Sequence, residues 1–333
     1  MELLANLAEV VTSSSVARKS NHRLSLIGLT GTTCWGRFPL WSWRPQWYRA
    51  FVLVVTVLAS PATLAADAEM MARGKYMFNS AGCLGCHTDS KNKGPLLAGG
   101  HELKTPFGNF YTPNITPDRE TGIGAWTDAD FVNALRHGKG PRGQAFYPAF
   151  PYPSYTGLTD RDMLDIKAYI FSLPAVRKAN RPHDLSFPFN LEFLNHIWQM
   201  LFLETGPRTV TAGMDPKVAR GAYLVEAATH CGECHTPRNL LGATRGDKTL
   251  AGAVLGPEEN APNITPDNET GIGKWSIDEI KDSLDSGMIP DGDFLGDSMA
   301  EVVENSTSKL TDADREAIAL YLKSLPPIAN KIK

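Results

Sequence analysis

The chain has 333 residues, a formal net charge of −3 and a hydrophobic content of 42%. This length allows one to three domains. The composition is that of a globular protein and excludes a disordered or fibrous chain.

Residues 41–66 have the layout of a secretory signal, in which basic residues precede an apolar run and small residues follow it. Arg44 and Arg49 supply the bases. The apolar run is shorter than the roughly 20 residues that a membrane span needs. We therefore predict export, with cleavage near Ala65 or Ala66; an uncleaved anchor is the alternative.

Loss of the N-terminal segment makes the protein more acidic. Residues 1–65 hold six bases and two acids, so the remaining chain has a net charge of about −7. An acidic exported protein is a poor nucleic-acid binder and suits a basic protein partner. Residues 1–66 are thus an extension plus signal peptide, and we expect a periplasmic protein that is soluble or loosely associated with the membrane.

The rest of the chain is a duplication. "PNITPDRETGIGAW" at 113–126 recurs as "PNITPDNETGIGKW" at 262–275, and other landmarks recur in the same order. Self-similarity at a fixed offset indicates repeated structural units. We predict a first copy at 67–178, a linker at 179–215 and a second copy at 216–333.

Each copy is predicted to be all-α, with short helices and long loops. Thr127 and Ser276 stand three residues before an acid, as in a capping box, and the helices that they begin stop at Gly138 and Gly287. No sustained alternation of apolar and polar residues demands a sheet.

The linker contains a dense apolar stretch at 187–204, which is too short and too polar to span a bilayer. One interpretation is a connector that packs across both copies. The other is an exposed patch for a partner or a membrane surface.

The cysteines of the two copies lie in "CLGCH" (83–87) and "CGECH" (231–235); Cys34 lies in the N-terminal extension. A disulfide across two residues closes too small a loop to stabilise much. A shared four-cysteine zinc site requires the two strings to meet, and a thioredoxin-like dithiol requires a βαβ setting that is missing. Cys-x-x-Cys-His is the attachment string of c-type haem.

The haem interpretation gives each residue of the strings a role. The thiols form thioether bonds to the vinyl groups, and the adjacent histidine supplies a nitrogen ligand to iron. The predicted tethers are Cys83, Cys86, Cys231 and Cys234, and the predicted iron ligands are His87 and His235. Two haem c groups are expected.

With these strings, the chain resembles the cytochrome c superfamily over about 70–333, especially the multihaem cytochrome c subunits of bacterial membrane-bound alcohol, gluconate and aldehyde dehydrogenases. The repeated loop, "YPAFPYPSY" at 147–155 and "GDSMAEVV" at 296–303 add to the resemblance. It implies that the first and last helices of each copy cross, near Gly74, Tyr76 and Tyr169, and near Gly221, Tyr223 and Tyr321. Those subunits usually carry three haems, whereas this chain has two attachment strings.

The resemblance places Met299 as the sixth iron ligand in the second copy. Methionine sulfur favours Fe(II) and raises the potential. A core methionine that fills a gap is the alternative, and Met288 is the second candidate.

The first copy departs from the family pattern, because Phe150 occupies the position where related chains often have methionine. A phenyl ring cannot donate a lone pair to iron. Other residues that could approach the iron are His101, His137, Tyr152, Tyr155 and Met163, each more readily explained as structural or solvated. Haem 1 therefore has an unrecognised ligand or five ligands.

The repeated "PNITP" loops have two open interpretations. Trp126 and Trp275, which end the repeats, either bond a haem propionate through the indole N–H or fill the domain core.

The leading hypothesis for function is a dihaem electron carrier between a dehydrogenase or a quinol-linked donor and a downstream cytochrome or oxidase. No phosphate-binding loop, nucleophile elbow or HExxH string suggests an enzyme. The alternative is a dihaem enzyme, similar to peroxidases or thiosulfate dehydrogenases, with an open haem 1. A third hypothesis is a subunit that anchors a dehydrogenase through 187–204.

Overall fold

The computed structural model describes residues 61–206, 212–256 and 259–332, with side chains from residue 66 onward. The chain divides into two units, Met1–Leu58 and Ala59–Lys333, and the description below concerns the second. The basic and apolar parts of the predicted signal lie outside the described residues. Within the described ranges, no helix is both long enough and apolar enough to span a bilayer.

The described residues are mostly helical, as predicted. In the first copy and the linker, the helices are α1 (Pro61–Ser80), α2 (Cys83–His87), α3 (Asp128–His137), α4 (Tyr152–Tyr155), α5 (Asp160–Phe171) and α6 (Leu194–Phe202). In the second copy they are α7 (Pro216–Tyr223), α8 (Gly232–His235), α9 (Ile277–Asp285), α10 (Asp297–Asn305) and α11 (Asp312–Ser324). A π-helical turn, Leu224–Ala228, extends α7.

Two small antiparallel sheets accompany the helices. Strands β1 (Glu102–Thr105), β2 (Gly108–Tyr111) and β3 (Asp184–Leu185) form the first, with Leu103 opposite Phe110. Strands β4 (Ala253–Val254) and β5 (Asn260–Ala261) form the second. These strands have two to four residues, which is too short for an alternating pattern to show in the sequence.

The predicted capping boxes are present at both helix starts. The Thr127 hydroxyl accepts from Asp130 N and the Ser276 hydroxyl from Glu279 N. Gly138 ends α3 in the left-handed conformation, with φ 60°. Helix α9 ends with Ser286 as its C-cap, and Gly287, the predicted stop, follows in the left-handed conformation at φ 81°.

The first and last helices of each copy cross at a glycine, as the resemblance implied. A Cβ on Gly74 would lie 2.1 Å from Asp165 O, and a Cβ on Gly221 would lie 2.0 Å from Ala317 O. Only glycine allows such a close approach of two backbones. Tyr76 and Tyr223 lie two residues beyond the crossing glycines, and their hydroxyls reach into the other copy.

The linker contacts both copies. Gln199 of α6 donates to Gly138 O in the first copy at 2.9 Å, and Trp198 Nε1 donates to Leu241 O in the second at 2.9 Å. The opposite face of α6 leaves Phe193, with 60% of its surface, and Met200, with 77%, exposed. The hydrogen bonds to both copies agree with a connector, and the exposed side chains agree with a patch for a partner or a membrane surface.

Candidate haem sites

The first Cys-x-x-Cys-His string forms a helix of its own. Helix α1 ends at Ser80, and Gly82, with φ 63°, turns the chain into α2, which consists of the string itself. In the second copy, His230 takes the left-handed position with φ 42° before α8. One helical turn places both thiols and the imidazole of a string at the same end of the copy.

Each histidine of the strings is fixed by a backbone carbonyl. His87 Nδ1 donates to Pro113 O at 2.8 Å, and His235 Nδ1 donates to Pro262 O at 2.7 Å. A carbonyl can only accept, so Nδ1 carries the proton and the lone pair is on Nε2. Burial lowers the pKa of both histidines, which favours the neutral ring that a metal requires.

The repeated loop supplies these carbonyls, a role that was missed in the sequence. Asn114 Nδ2 donates to Val176 O at 2.8 Å, and Asn263 Nδ2 donates to Ile328 O at 2.8 Å. Each asparagine thereby ties the loop to the segment that follows the last helix of its copy. The near-identity of the two "PNITP" segments was the sequence feature that could have indicated this role. Trp126 and Trp275 are half-buried against the core, and the proposed bond to a propionate stays a prediction.

The thiols of both strings are free, and their surroundings do not suit an activated dithiol. Reactive cysteines have a lowered pKa. Here desolvation raises the pKa of Cys83 to about 12 and that of Cys234 to about 11. Among the described residues, no cluster of three or more His, Cys, Asp or Glu side chains could hold a metal ion. Two thiols and a neutral imidazole with a free Nε2 fit haem c.

The two strings meet at the boundary between the copies. Tyr155 OH donates to Ala81 O at 2.6 Å, and His230 Nε2 lies 3.3 Å from the same oxygen. Ser154 donates at 2.6 Å to Glu233, which lies between the cysteines of the second string. The copies thus contact each other beside the strings, but among the described residues the cysteines do not form a cluster of metal ligands.

The candidates for a sixth ligand differ in their surroundings. Met299 on α10 is half-buried against the core, whereas Met288 is 41% exposed in an isolated antiparallel bridge with Phe294. Met163 is fully buried in α5, with its sulfur 3.9 Å from Arg136 Nη2, so its role is helix packing.

The remaining candidates of the first copy have other contacts. The Tyr155 hydroxyl is bonded to Ala81 O, and the fully buried Tyr152 ring packs edge-on against Trp198 at 6.3 Å. His137 is half-buried at the end of α3, and His101 lies on the loop that leads into β1. Phe150 is half-buried, with its ring centroid 5.7 Å from that of Tyr155.

Comparisons with known proteins agree with this geometry. The family model for cytochrome c matches residues 71–174 and 218–326, once in each copy. The chain is 42% identical to a Cereibacter sphaeroides protein named diheme cytochrome c-type, over 88% of this chain and 95% of that protein.

Two further relatives are subunits of dehydrogenases. The cytochrome c subunit of a quinone alcohol dehydrogenase from Gluconacetobacter polyoxogenes is 40% identical, over 83% of this chain and 60% of that subunit. The cytochrome c subunit of a gluconate 2-dehydrogenase from Pantoea cypripedii is 38% identical, over 83% of this chain and 64% of that subunit. The chain therefore spans less than two thirds of the length of these two subunits. It belongs to the cytochrome c family, and its two cytochrome c domains take two haem c groups.

Proposed function

We propose that the chain is a dihaem c-type cytochrome that carries electrons. The observation that carries this proposal is the repeated set of two thiols and one imidazole, in which the Nδ1 proton is held by a proline carbonyl. Haem c supplies reversible one-electron chemistry at its iron when it is bound.

The cysteines and the histidine of each copy have separate roles in holding the haem. Cys83 and Cys86 tether one haem and Cys231 and Cys234 the other, while His87 and His235 ligate iron through Nε2. The carbonyls of Pro113 and Pro262 fix the direction of each ring and raise the basicity of its free nitrogen. Met299 is the proposed sixth ligand in the second copy.

The contact between the strings supports transfer from one haem to the other. The bonds of Ala81, Ser154, Tyr155 and Glu233 hold the two attachment segments against each other. A fixed boundary keeps the distance between two redox groups constant, so that no domain movement is needed during transfer.

The proposed partners are redox proteins. We infer an electron donor that is a dehydrogenase or a quinol-linked complex, because two relatives are named as cytochrome c subunits of dehydrogenases. A downstream cytochrome or oxidase would accept the electrons. Relatives with such names give no support to the alternative of a dihaem enzyme.

The proposed location is the periplasm, reached through the signal at 41–66. The proposed boundaries remain an extension plus signal at 1–66, a first domain at 67–178, a linker at 179–215 and a second domain at 216–333. Peripheral association with a membrane through the exposed side chains of 187–204 is part of this proposal.

The test is covalent haem on the denatured protein. We expect two haems in the wild type and one in a variant with Cys83→Ala and Cys86→Ala, measured by intact mass and haem staining. The matched variant, Cys231→Ala with Cys234→Ala, should lose the other haem and keep one. A wild-type protein without porphyrin mass, or a double variant that keeps two haems, would refute the proposal.

A further inference from the structure

The second copy has one more residue than the first between the tyrosine of its first helix and its attachment string. Six residues separate Tyr76 from Cys83, and seven separate Tyr223 from Cys231. A π-helical turn of five residues, Leu224–Ala228, absorbs the extra one, whereas the first helix of the first copy is α-helical throughout. Such π-helical turns are frequent at functional sites.

The residue that precedes each string has a left-handed backbone, but the two copies use different residues there. The first copy has Gly82, with φ 63°, and the second has His230, with φ 42°. Glycine adopts this conformation without steric cost, whereas a residue with a Cβ is strained in it. The second copy therefore keeps a strained histidine where a glycine would be relaxed, and such strain indicates a functional constraint.

The His230 ring reaches across the boundary to the first string. Its Nε2 lies 3.3 Å from Ala81 O, and a carbonyl can only accept, so Nε2 carries the proton and donates it. A Cβ on Gly82 would lie 3.8 Å from the same Nε2. The imidazole thus lies beside the two residues that lead into Cys83.

The same carbonyl also binds α4 of the first copy. Tyr155 OH donates to Ala81 O at 2.6 Å, so the two lone pairs of this oxygen accept one donor from each copy. The rings of Tyr155 and His230 pack edge to face, with centroids 5.4 Å apart and an interplanar angle of 84°. These contacts fix the position of the imidazole between the two strings.

His230 completes a short bonded connection between the tethers of the two strings. From Cys83 the connection follows the backbone back to the Ala81 carbonyl and crosses one hydrogen bond. It then enters the His230 side chain, and a peptide bond joins His230 to Cys231. Electrons tunnel more readily along covalent and hydrogen bonds than across gaps between non-bonded atoms. The connection therefore favours transfer between groups that are attached at the two strings.

We propose that His230 is a positioning residue for electron transfer between the two copies. Its imidazole links the first string to the second and supplies the hydrogen-bonded step of the route between them. This role rests on the proposed function, because it needs a haem at each string. The transfer oxidises one iron and reduces the other by one electron, so it requires no proton and no outside reductant.

Two variants of His230 test the hydrogen bond. His230→Gln keeps an N–H donor at the end of a side chain of similar reach, whereas the amide of His230→Asn is one methylene shorter. Asparagine tolerates the left-handed backbone, so the fold should be kept. Flash photoreduction of the oxidised holoprotein delivers less than one electron per chain, and absorbance then follows the redistribution of the electron between the haems. We expect His230→Asn to slow this redistribution about tenfold and His230→Gln to keep the wild-type rate.

A second pair of variants separates the role in electron transfer from a role in stability. His230→Gly and His230→Ala both lack the imidazole, but only glycine is relaxed at φ 42°. The glycine variant should therefore unfold at a higher temperature than the alanine variant. Both should slow the redistribution to the same extent as His230→Asn, and redox titration should show unchanged potentials for the two haems.

The outcomes distinguish this role from the proposed function, provided that covalent haem is counted first in every protein. A wild type without two covalent haems would refute the proposed function and this role together. With both haems present, an unchanged rate in His230→Asn and His230→Gly, or equal slowing in His230→Gln, would overturn the role of His230 alone. A rate that follows the unfolding temperature of the variants would also overturn it, because His230 would then act only on stability.

Discussion

The Tyr76 hydroxyl donates a 2.6 Å hydrogen bond to Asp314 Oδ2 across the boundary between the two copies. The same hydroxyl accepts from Thr311 N at 3.1 Å, so one side chain contacts two groups in the first turn of α11. In the reverse direction, Tyr223 donates to Asp162 and accepts from Thr159 N at the start of α5. The first helix of each copy thus binds the start of the other copy's last helix.

Tyr76→Phe should lower the free energy of unfolding by about 1–2 kcal/mol, because it removes a bond to a charged group at a boundary. Burial alone would raise the pKa of Asp314, but the bonds from Arg220 and Tyr76 lower it, so the carboxylate is charged near neutral pH. Urea unfolding measures the effect. Tyr223→Phe is the matched variant on the other side and should give a loss of similar size; no loss in either would mean that the contacts do not stabilise the boundary.

Gly74→Ala and Gly221→Ala should each destabilise the protein by about 3 kcal/mol, because the new methyl group would meet a backbone carbonyl of the partner helix. Gly246 is a suitable control. A Cβ at that position meets no atom within 4 Å, and Gly246→Ala should change the stability by less than about 0.5 kcal/mol. Thermal unfolding of the three variants tests the crossing, and equal stabilities would contradict it.

The attachment strings, the duplication and the helix starts were predictable from the sequence because each depends on local spacing. Thr127 and Ser276 bond backbone groups three residues away, which a sequence pattern can show. The crossing glycines, Gly74 and Gly221, were found only through the resemblance.

The contacts between the copies could not be predicted in the same way. Tyr76 and Asp314 are 238 residues apart, and a tyrosine on a helix gives no sign of which surface it will meet. The role of Pro113 was hidden for another reason. Its contact to His87 uses the backbone carbonyl, and every residue type has that group.

The repeated loops predict a dependence of stability on pH. The backbone N–H and the hydroxyl of Thr121 donate to Asp118, and those of Thr270 donate to Asp267; these bonds lower the pKa of each carboxyl below its ordinary value of 3.8. Arg177 and Lys274 act in the same direction. The folded state therefore favours the ionised form.

The sign of the effect follows from the lowered pKa. The contribution of the two carboxylates is complete above pH 3.8 and disappears as the pH falls through the folded-state pKa values. Asp118→Asn with Asp267→Asn should thus be less stable than the wild type near neutral pH, and the difference should shrink in acid. Urea unfolding over this range measures it. A difference that stays constant with pH would show that the charge is not responsible.

Met299→Leu tests the proposed ligand of the second haem. If the thioether binds iron, its loss should lower the reduction potential of one haem and leave the other unchanged, because sulfur favours Fe(II). Redox titration followed by absorbance separates the two haems. Met288→Leu is the control and should alter neither potential. If Met288→Leu lowered one potential and Met299→Leu lowered neither, Met288 would be the ligand.

Phe150→Met tests the first haem. Phe150 cannot bind iron, the Tyr155 hydroxyl is held by Ala81 O, and the Met163 sulfur is buried beside Arg136. If haem 1 has five ligands, carbon monoxide should bind the reduced wild-type protein at one haem. The thioether of the variant should take the open position, weaken carbon monoxide binding and raise the potential of that haem. A wild-type protein with two six-coordinate haems that resist carbon monoxide would show that another side chain of the first copy is the ligand.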